Sequence, residues 1–233
     1  MLFRSTQSLP VSGTLRSLAT AIVKAKVAGE VRDLVVREGD SVRAGQVLAR
    51  IDPVEYEAKL RQAQLQADAA LAQIEIAQRQ YDNNRALVGQ GFISSTALDA
   101  SDSTLRNARA THAAALAARD VARKALDDTV VRAPIDAQVS LRVAQPGERL
   151  AIDARVIELV DARRLELEAA LATQDAASLR VGQQATLRVE GLDLPVKARV
   201  SRINPAVQAG SRNVLAYLAV EPVAGLRQGL YAQ

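Results

Sequence analysis

From residue 53 to residue 127 apolar side chains recur at helical spacing, and on either side of that run they alternate at strand spacing. In the first half of the run, positions seven apart read Leu60, Ala67, Ile74, Tyr81 and Val88, and a second set reads Tyr56, Ala63, Ala70, Ala77 and Asn84. Together they make the two-position seam of a heptad repeat. The returning half gives Leu98, Leu105, His112, Arg119 and Leu126 with Ser101, Ala108, Ala115 and Ala122, a less apolar seam. Alanine at so many seam positions lets two helices approach closely but buries little area per layer, so length and helix propensity must carry the stability. Asp52 is an N-cap candidate, Pro53 suits the first turn, and Glu55 completes a start resembling a capping box. Near the middle, Gly89 and Gly91 can end the first helix, and Ser94 or Ser95 can cap the second. Arms of about 32 to 35 residues at ~1.5 Å per residue would reach roughly 50 Å.

The flanks read as β-structure. In 20–51, AIVKAKVAGEVRDLVVREGDSVRAGQVLARI, Val and Ile at short intervals are punctuated by Ala28-Gly29, Gly39-Asp40 and Ala44-Gly45, the pattern of short strands joined by tight turns. A shift of about 108 positions lays Val27, Val31, Val35, Gly39, Asp40 and Val42 on Ile135, Val139, Val143, Gly147, Glu148 and Leu150. Neither half has enough apolar surface to fold alone, so the two are expected to pack into one quasi-symmetric unit, 20–52 with 128–161. Asp52 and Asp128 then become neighbours, and the helical insertion 53–127 must go out and come back. After Asp161 the segments RRLELEAAL, VGQQATLRVEG, LPVKARVSRI, RNVLAYLAVEP and GLRQGLYAQ each read as strands, with TQDAASL as a short helix and Gly182, Gly191, Gly225 and Gly229 at corners. They predict an antiparallel β-barrel over 162–233. Residues 4–19, with Pro10 and Gly13, read as one or two edge strands within an N-terminal segment 1–19 that reaches toward that barrel. The fold class is α+β, elongated and multidomain.

Composition narrows the functions. Hydrophobic residues make up 48% of the 233-residue chain but aromatics only 3%, which favours slender helices and small β-modules. The net charge of +4 is spread without a basic block or interleaved aromatics, so no nucleic-acid partner is expected. The absence of Cys excludes disulfides and thiolate chemistry and leaves the compartment open. No stretch approaches the roughly 20 apolar residues that span a bilayer. The start, MLFRSTQSLPVSGTL, has no signal-peptide core, and a strand-like segment running into Gln233 gives the expectation of a fragment.

Catalytic, cofactor and metal candidates are not found. His112 stands alone in an Ala-rich helix with no acidic residue three or four positions away, and Met1 is the one Met. Asp127 and Asp128 fall at a helix-to-strand junction, and Asp175 lies beside a short helix, where solvated carboxylates are ordinary. No phosphate loop, nucleophile elbow or dinucleotide motif occurs. The far end of the helical run differs: RALVGQGFISSTALD places Arg85, Leu87, Val88, Gly89, Phe92, Ile93 and Ser94 beyond the reach of any β-core. Apolar residues exposed there predict a partner, although some of them can simply close the turn.

Each half of the first β-unit, EVRDLVVREGDSVRAGQVLARI most clearly, resembles a lipoyl or biotinyl carrier domain. Carriers hold a modified Lys on the hairpin between their halves. Here the five lysines are Lys24, Lys26, Lys59, Lys124 and Lys197, and the junction reads Asp52, Pro53, Val54, Glu55. A split lipoyl-like β-sandwich, an inserted antiparallel coiled-coil α-hairpin and a following β-barrel together resemble the periplasmic adaptors, or membrane fusion proteins, of RND-type tripartite efflux pumps. The resemblance rests on AGEVRDLVVREGDSVRAGQVLARIDPVEYEAKL, TVVRAPIDAQVSLRVAQPGERL, VSRINPAVQAGSRNVLAYLAV and GLRQGLYA. It implies a non-enzymatic periplasmic protein, attached to the inner membrane in full length. Its implied partners are an inner-membrane transporter, an outer-membrane channel and further copies in a ring. It also implies an Arg, Leu, Ser pattern at the hairpin tip that meets the channel: Leu87 and Ser94 match, Asn83 takes the Arg position, and Arg85 lies two residues on. Ala137 departs from the Gly usual in the second half. The family's anchor and membrane-proximal domain are expected to be missing or truncated here. Two alternatives stay open: an adaptor of an ABC-type exporter or type I secretion system, and, from another class, a lipoyl or biotinyl carrier component.

Overall fold

The computed structural model describes residues 11–192, 194–207 and 213–233; the strand expected over residues 4–10 and part of the expected strand-linking segment at 208–212 lie outside them. In chain order the elements are β1 Gly13–Ser17, β2 Thr20–Lys24, β3 Gly29–Leu34, β4 Ser41–Val42, β5 Val47–Ile51, α1 Val54–Gly89, α2 Ser95–Asp127, β6 Val130–Arg132, β7 Ala137–Arg142, β8 Arg149–Leu150 and β9 Arg155–Val160. They continue with β10 Leu165–Ala172, α3 Thr173–Ala176, β11 Gln184–Leu187, β12 Val196–Val207, β13 Asn213–Val220 and β14 Tyr231–Ala232.

Strands from before and after the helical pair interleave. One four-stranded sheet runs β2-β9-β7-β4 and the other β6-β5-β3-β8, so each contains strands of both halves. The sheets enclose one apolar core in which Val31, Leu48, Ile51, Val156, Ile157 and Leu159 are fully buried. Pairing repeats the internal symmetry of the sequence. Val31 opposite Ile51 corresponds to Val139 opposite Leu159, and Leu34 opposite Ala49 corresponds to Arg142 opposite Ile157. The turns cross over in the same way: Gly39 donates its N–H to the Val139 carbonyl at 2.8 Å, and Gly147 donates to that of Val31 at 2.7 Å. Ala137, the residue that departs from Gly, sits in β7 opposite Val42, as Gly29 sits opposite Leu150. A Cβ at Gly29 would come within 2.5 Å of Ile51 Cγ2. The counterpart of Ile51 is Leu159, which has no γ2 methyl group, and this leaves room for the Ala137 side chain.

The second β-unit is a six-stranded sheet, β11-β12-β13-β10-β1-β14. Its ends meet: Arg188 N–H bonds the Gln233 carbonyl at 2.6 Å, Gln233 N–H returns to Arg188 at 2.9 Å, and Glu190 N–H bonds Tyr231 at 2.9 Å. The inside is filled by Leu15, Leu167, Ala169, Val196, Ala216 and Leu218. Two expectations are corrected here. The N-terminal strand is not an edge strand, because β1 pairs with β10 on one side and β14 on the other. A Cβ at Gly13 would collide with the Glu168 carbonyl at 2.0 Å, so the tight β1–β10 approach requires glycine. The expected terminal strand over 225–233 shrinks to Tyr231–Ala232, since Gly225 and Gly229, at φ 93° and 91°, turn the chain instead.

α1 and α2, of 36 and 33 residues, pack antiparallel. Ala63, Ala67, Ala70 and Ala77 of α1 are buried against α2, whose own buried residues are Ser101 and Leu105. The remaining seam positions, from Tyr56 to Val88 and from Leu98 to Leu126, are half-buried. At the root, Ile51 N–H bonds the Thr129 carbonyl at 2.8 Å and Asp52 N–H bonds Glu30 at 2.9 Å. Tyr56 Oη donates to the Ala28 carbonyl at 2.6 Å, which pins the first turn of α1 to the β-core. The expected capping box does not form. Pro53 is the cap residue, Asp52 Oδ1 accepts from Val54 N–H at 3.3 Å, and Glu55 pairs instead with Lys59 at 2.6 Å.

Candidate docking site at the end of the helical pair

At 1.5 Å per residue α1 is about 54 Å long, so whatever its far end carries is out of contact with both β-cores. The end of α1 is fixed by a Schellman motif. Gly91 has φ 78°, its N–H bonds the Val88 carbonyl at 3.0 Å, and Phe92 N–H bonds that of Leu87 at 3.0 Å. The left-handed residue reverses the chain within residues 90–94, and Ser94, extended at φ −77° and ψ 156°, starts α2. Its side chain makes no cap bond, so its hydroxyl is exposed to solvent.

The residues singled out from the sequence separate into two groups. Phe92 is 72% exposed and Leu87 38% exposed, and Arg85, Gly89 and Ser94 are also exposed. Val88 and Ile93 are half-buried, so these two close the turn. Between Asp82 and Asp99 the one charged side chain is Arg85, and it forms no ion pair among the described residues. Asn83 is exposed one helical turn before Leu87. The end is therefore an apolar point, Phe92 with Leu87, inside a collar of neutral polar groups and a single cation. Such a surface gains from burial in a partner's groove and from hydrogen bonds to partner acceptors.

Elsewhere several titratable groups pair with one another. Lys59 hydrogen-bonds Glu55 and holds its carboxyl below the usual range, and Glu55 in turn raises Lys59. Lys59 also lies 5.4 Å from the centre of the Tyr56 ring, so it is engaged at the root rather than free on a turn. His112 is half-buried in the α1–α2 seam. Asp128 pairs with Lys124 and, at 3.7 Å, with Lys26. No group of three or more His, Cys, Asp or Glu among the described residues could hold a metal ion. No helix among them is long and apolar enough to cross a membrane.

Sequence reasoning passed over Asp161. This carboxylate, 2% exposed, lies where the chain crosses between the two β-units. Its oxygens accept from the Arg163 backbone and Nε and from Arg164 Nε, each at 3.1 Å. Its backbone bonds Ala19, and Ser17 Oγ donates to its carbonyl at 2.8 Å, so the two crossing segments are tied together. Burial alone would push the carboxyl up, but the bonds from Arg163 and Arg164 outweigh it and hold Asp161 below the usual range. The one signal in the sequence is the run Asp161-Ala162-Arg163-Arg164 just ahead of an alternating strand.

Comparison with known proteins places this architecture. The barrel-sandwich hybrid domain of RND membrane fusion proteins matches residues 19–157. The nodulation protein NolF of Rhizobium meliloti (strain 1021) is 28% identical over 220 residues, covering 94% of this chain and 60% of NolF. The multidrug resistance protein MdtA of Klebsiella pneumoniae subsp. pneumoniae is 33% identical over 139 residues, covering 60% of this chain and 34% of MdtA. The chain thus spans between a third and three-fifths of the length of these relatives. The structure of the membrane fusion protein Spr0693 from Streptococcus pneumoniae R6 superposes with a TM-score of 0.76 at 22% identity, covering 97% of this chain and 96% of that one, a likeness of fold. Matched by that domain over more than half of its length, the chain belongs to the RND membrane fusion protein family.

Proposed function

We propose that the protein is the periplasmic adaptor of an RND-type efflux pump, linking an inner-membrane transporter to an outer-membrane channel. In this reading the two interleaved four-stranded sheets, 20–52 with 128–161, are a split lipoyl-like sandwich. The helices of 53–127 are its inserted coiled-coil hairpin, and 162–233 is the β-barrel, with the strand from 1–19 completing it. The observation that carries the reading is the exposure of Phe92 and Leu87 at the end of α1, about 54 Å from its root. Arg85, Leu87, Val88, Gly89, Phe92, Ile93 and Ser94 form the channel-docking tip. Leu87 and Phe92 supply the apolar contact, Arg85 the charge and Ser94 the hydroxyl, while Val88 and Ile93 hold the turn that presents them. The protein works without catalysis: it positions two partners across the envelope, and association of copies into a ring raises the effective concentration of each weak tip contact.

An exporter of ABC type or a carrier role has less support. The domain match points to RND pumps, and the turn where a carrier would display its Lys is replaced by Asp52 to Glu55. Leu87→Asp in the full-length protein tests the reading. It leaves the helices folded, since Leu87 is outside the buried seam, and cells relying on this adaptor lose tolerance to the pump's toxic substrates. Unchanged tolerance with normal protein levels would contradict docking by this tip.

A further inference from the structure

The outer face of the sheet β6-β5-β3-β8 carries an arginine on three neighbouring strands. The alternation that buries Val131, Ile51 and Val31 turns the adjacent Arg132, Arg50 and Arg32 outward. Arg50 stands opposite Val130 on one side and Asp33 on the other, and Arg132 lies two residues beyond Val130 on β6. The internal repeat of the fold does not require these arginines. At the matching positions of the other sheet, Ser140 stands for Arg32 and Glu158 for Arg50, and Glu158 is paired with Arg155 at 3.4 Å.

The root of the helical pair walls this floor. Pro53 and Glu57 on the α1 side, with Leu126 and Asp127 of α2, close a groove of about 700 Å³ that all three arginines line. It continues between the helices into a furrow of about 310 Å³, which shares Glu57 and Leu126 and adds Leu60, Leu65, Arg61 and Arg123. The furrow is mainly leucine, and Leu65 is 63% exposed. Each part lies within the size range of sites that hold drug-sized molecules.

Five arginines and three carboxylates, Asp33, Glu57 and Asp127, line the two parts. Among the described residues none of the eight forms an ion pair. The lysines of the same root are engaged, Lys59 with Glu55 and Lys124 with Asp128. Arg132 donates one Nη1 bond to the Gly45 carbonyl at 3.0 Å, which fixes its stem and leaves further donors on the same fork. The surplus charge is positive, and a guanidinium fork takes a carboxylate, sulfonate or phosphate through two parallel bonds. We infer that this groove binds an amphiphilic organic anion. The anionic group lies on Arg50 and Arg132 with Arg32 beside them, and the apolar body lies on Leu126, Leu60 and Leu65 between Arg61 and Arg123. A ligand so placed touches the sheet and both helices at once, and it ties the root of the helical pair to the β-core. The site goes beyond the adaptor reading and does not depend on the tip.

The probe for the test is 1-anilinonaphthalene-8-sulfonate, whose fluorescence rises in apolar surroundings. N-phenyl-1-naphthylamine, which lacks only the sulfonate, is its neutral control. Titrated into the purified protein, the sulfonate is expected to saturate one site and to bind at least about tenfold more tightly than the neutral parent. Arg50→Ala and Arg132→Ala each weaken the sulfonate about tenfold and leave the parent unchanged. Leu65→Ser weakens both probes, and Arg37→Ala, at a turn outside the groove, changes neither. All four residues are exposed, so the variants keep the wild-type circular dichroism. Equal affinity for the two probes would overturn the inference, because the furrow would then act without the arginines. So would wild-type affinity for the sulfonate in Arg50→Ala and Arg132→Ala. Sulfonate binding that disappears as the protein self-associates would also overturn it, by showing that a second copy covers the groove. Capture of a channel by the tip is scored separately, so failure of the adaptor reading leaves the probe result standing.

Discussion

The N–H of Phe92 bonds the carbonyl of Leu87 at 3.0 Å, so the two most exposed apolar residues of the tip are the two ends of one hydrogen bond. Their spacing is set by the backbone, with Gly91 between them at φ 78°. A β-branched residue cannot hold that conformation without strain of about 1–2 kcal/mol. Gly91→Val is therefore expected to loosen the tip while leaving the rest of both helices intact. Limited proteolysis would show faster cleavage within 88–95, at unchanged helical content by circular dichroism. Cleavage at the wild-type rate would mean that the Schellman turn does not hold Leu87 and Phe92 in place.

The Tyr56 hydroxyl is the side-chain anchor of α1 on the β-core. Tyr56→Phe keeps the ring and removes the donor to the Ala28 carbonyl, for an expected loss of about 1 kcal/mol. Urea denaturation should show a lower midpoint with an unchanged slope. No change in midpoint would place the anchoring in the backbone bonds at Ile51 and Asp52.

Asp161 gives the protein an acid-sensitive junction. Its carboxyl titrates below the ordinary value near ~3.9 when folded and at that value when unfolded, so its stabilising contribution is complete above that range. The contribution is lost as pH falls through the folded value. Asp161→Asn is expected to cost about 1–2 kcal/mol at pH 7, the lower part of the range for bonds to a charged group, because both arginines are largely solvent-exposed. Thermal melts at pH 7 and pH 3 should show the gap between variant and wild type shrinking at the lower pH. An equal gap at both would exclude the ionised clamp.

Much of this architecture is written in local patterns. Every heptad position from Tyr56 to Val88 is buried or half-buried in α1, because a seam between two helices is decided by side chains seven apart on the same chain. The repeat linking Val31 to Val139 holds down to individual strand partners, since both copies solve the same packing problem. What local pattern misses is contact between distant segments. Gly13 reads as part of an edge strand until β10 is placed against it on one side and β14 arrives on the other from the far end of the chain. Asp161 looks like an ordinary loop carboxylate because its burial depends on residues 17–19. Within the tip, the chemistry of Leu87 and Phe92 was legible, whereas the split between exposed residues and those closing the turn depended on the Gly91 conformation.

The central claim is that this tip meets an outer-membrane channel. The most direct measurement places a cysteine at Leu87 or Phe92 in the full-length protein, adds a crosslinker in intact cells and identifies the captured protein by mass spectrometry. The account predicts capture of an outer-membrane channel from both positions and none from a cysteine at exposed Val121 near the root of α2. Failure of both tip positions to capture a channel, in cells where the pump is active, would contradict it.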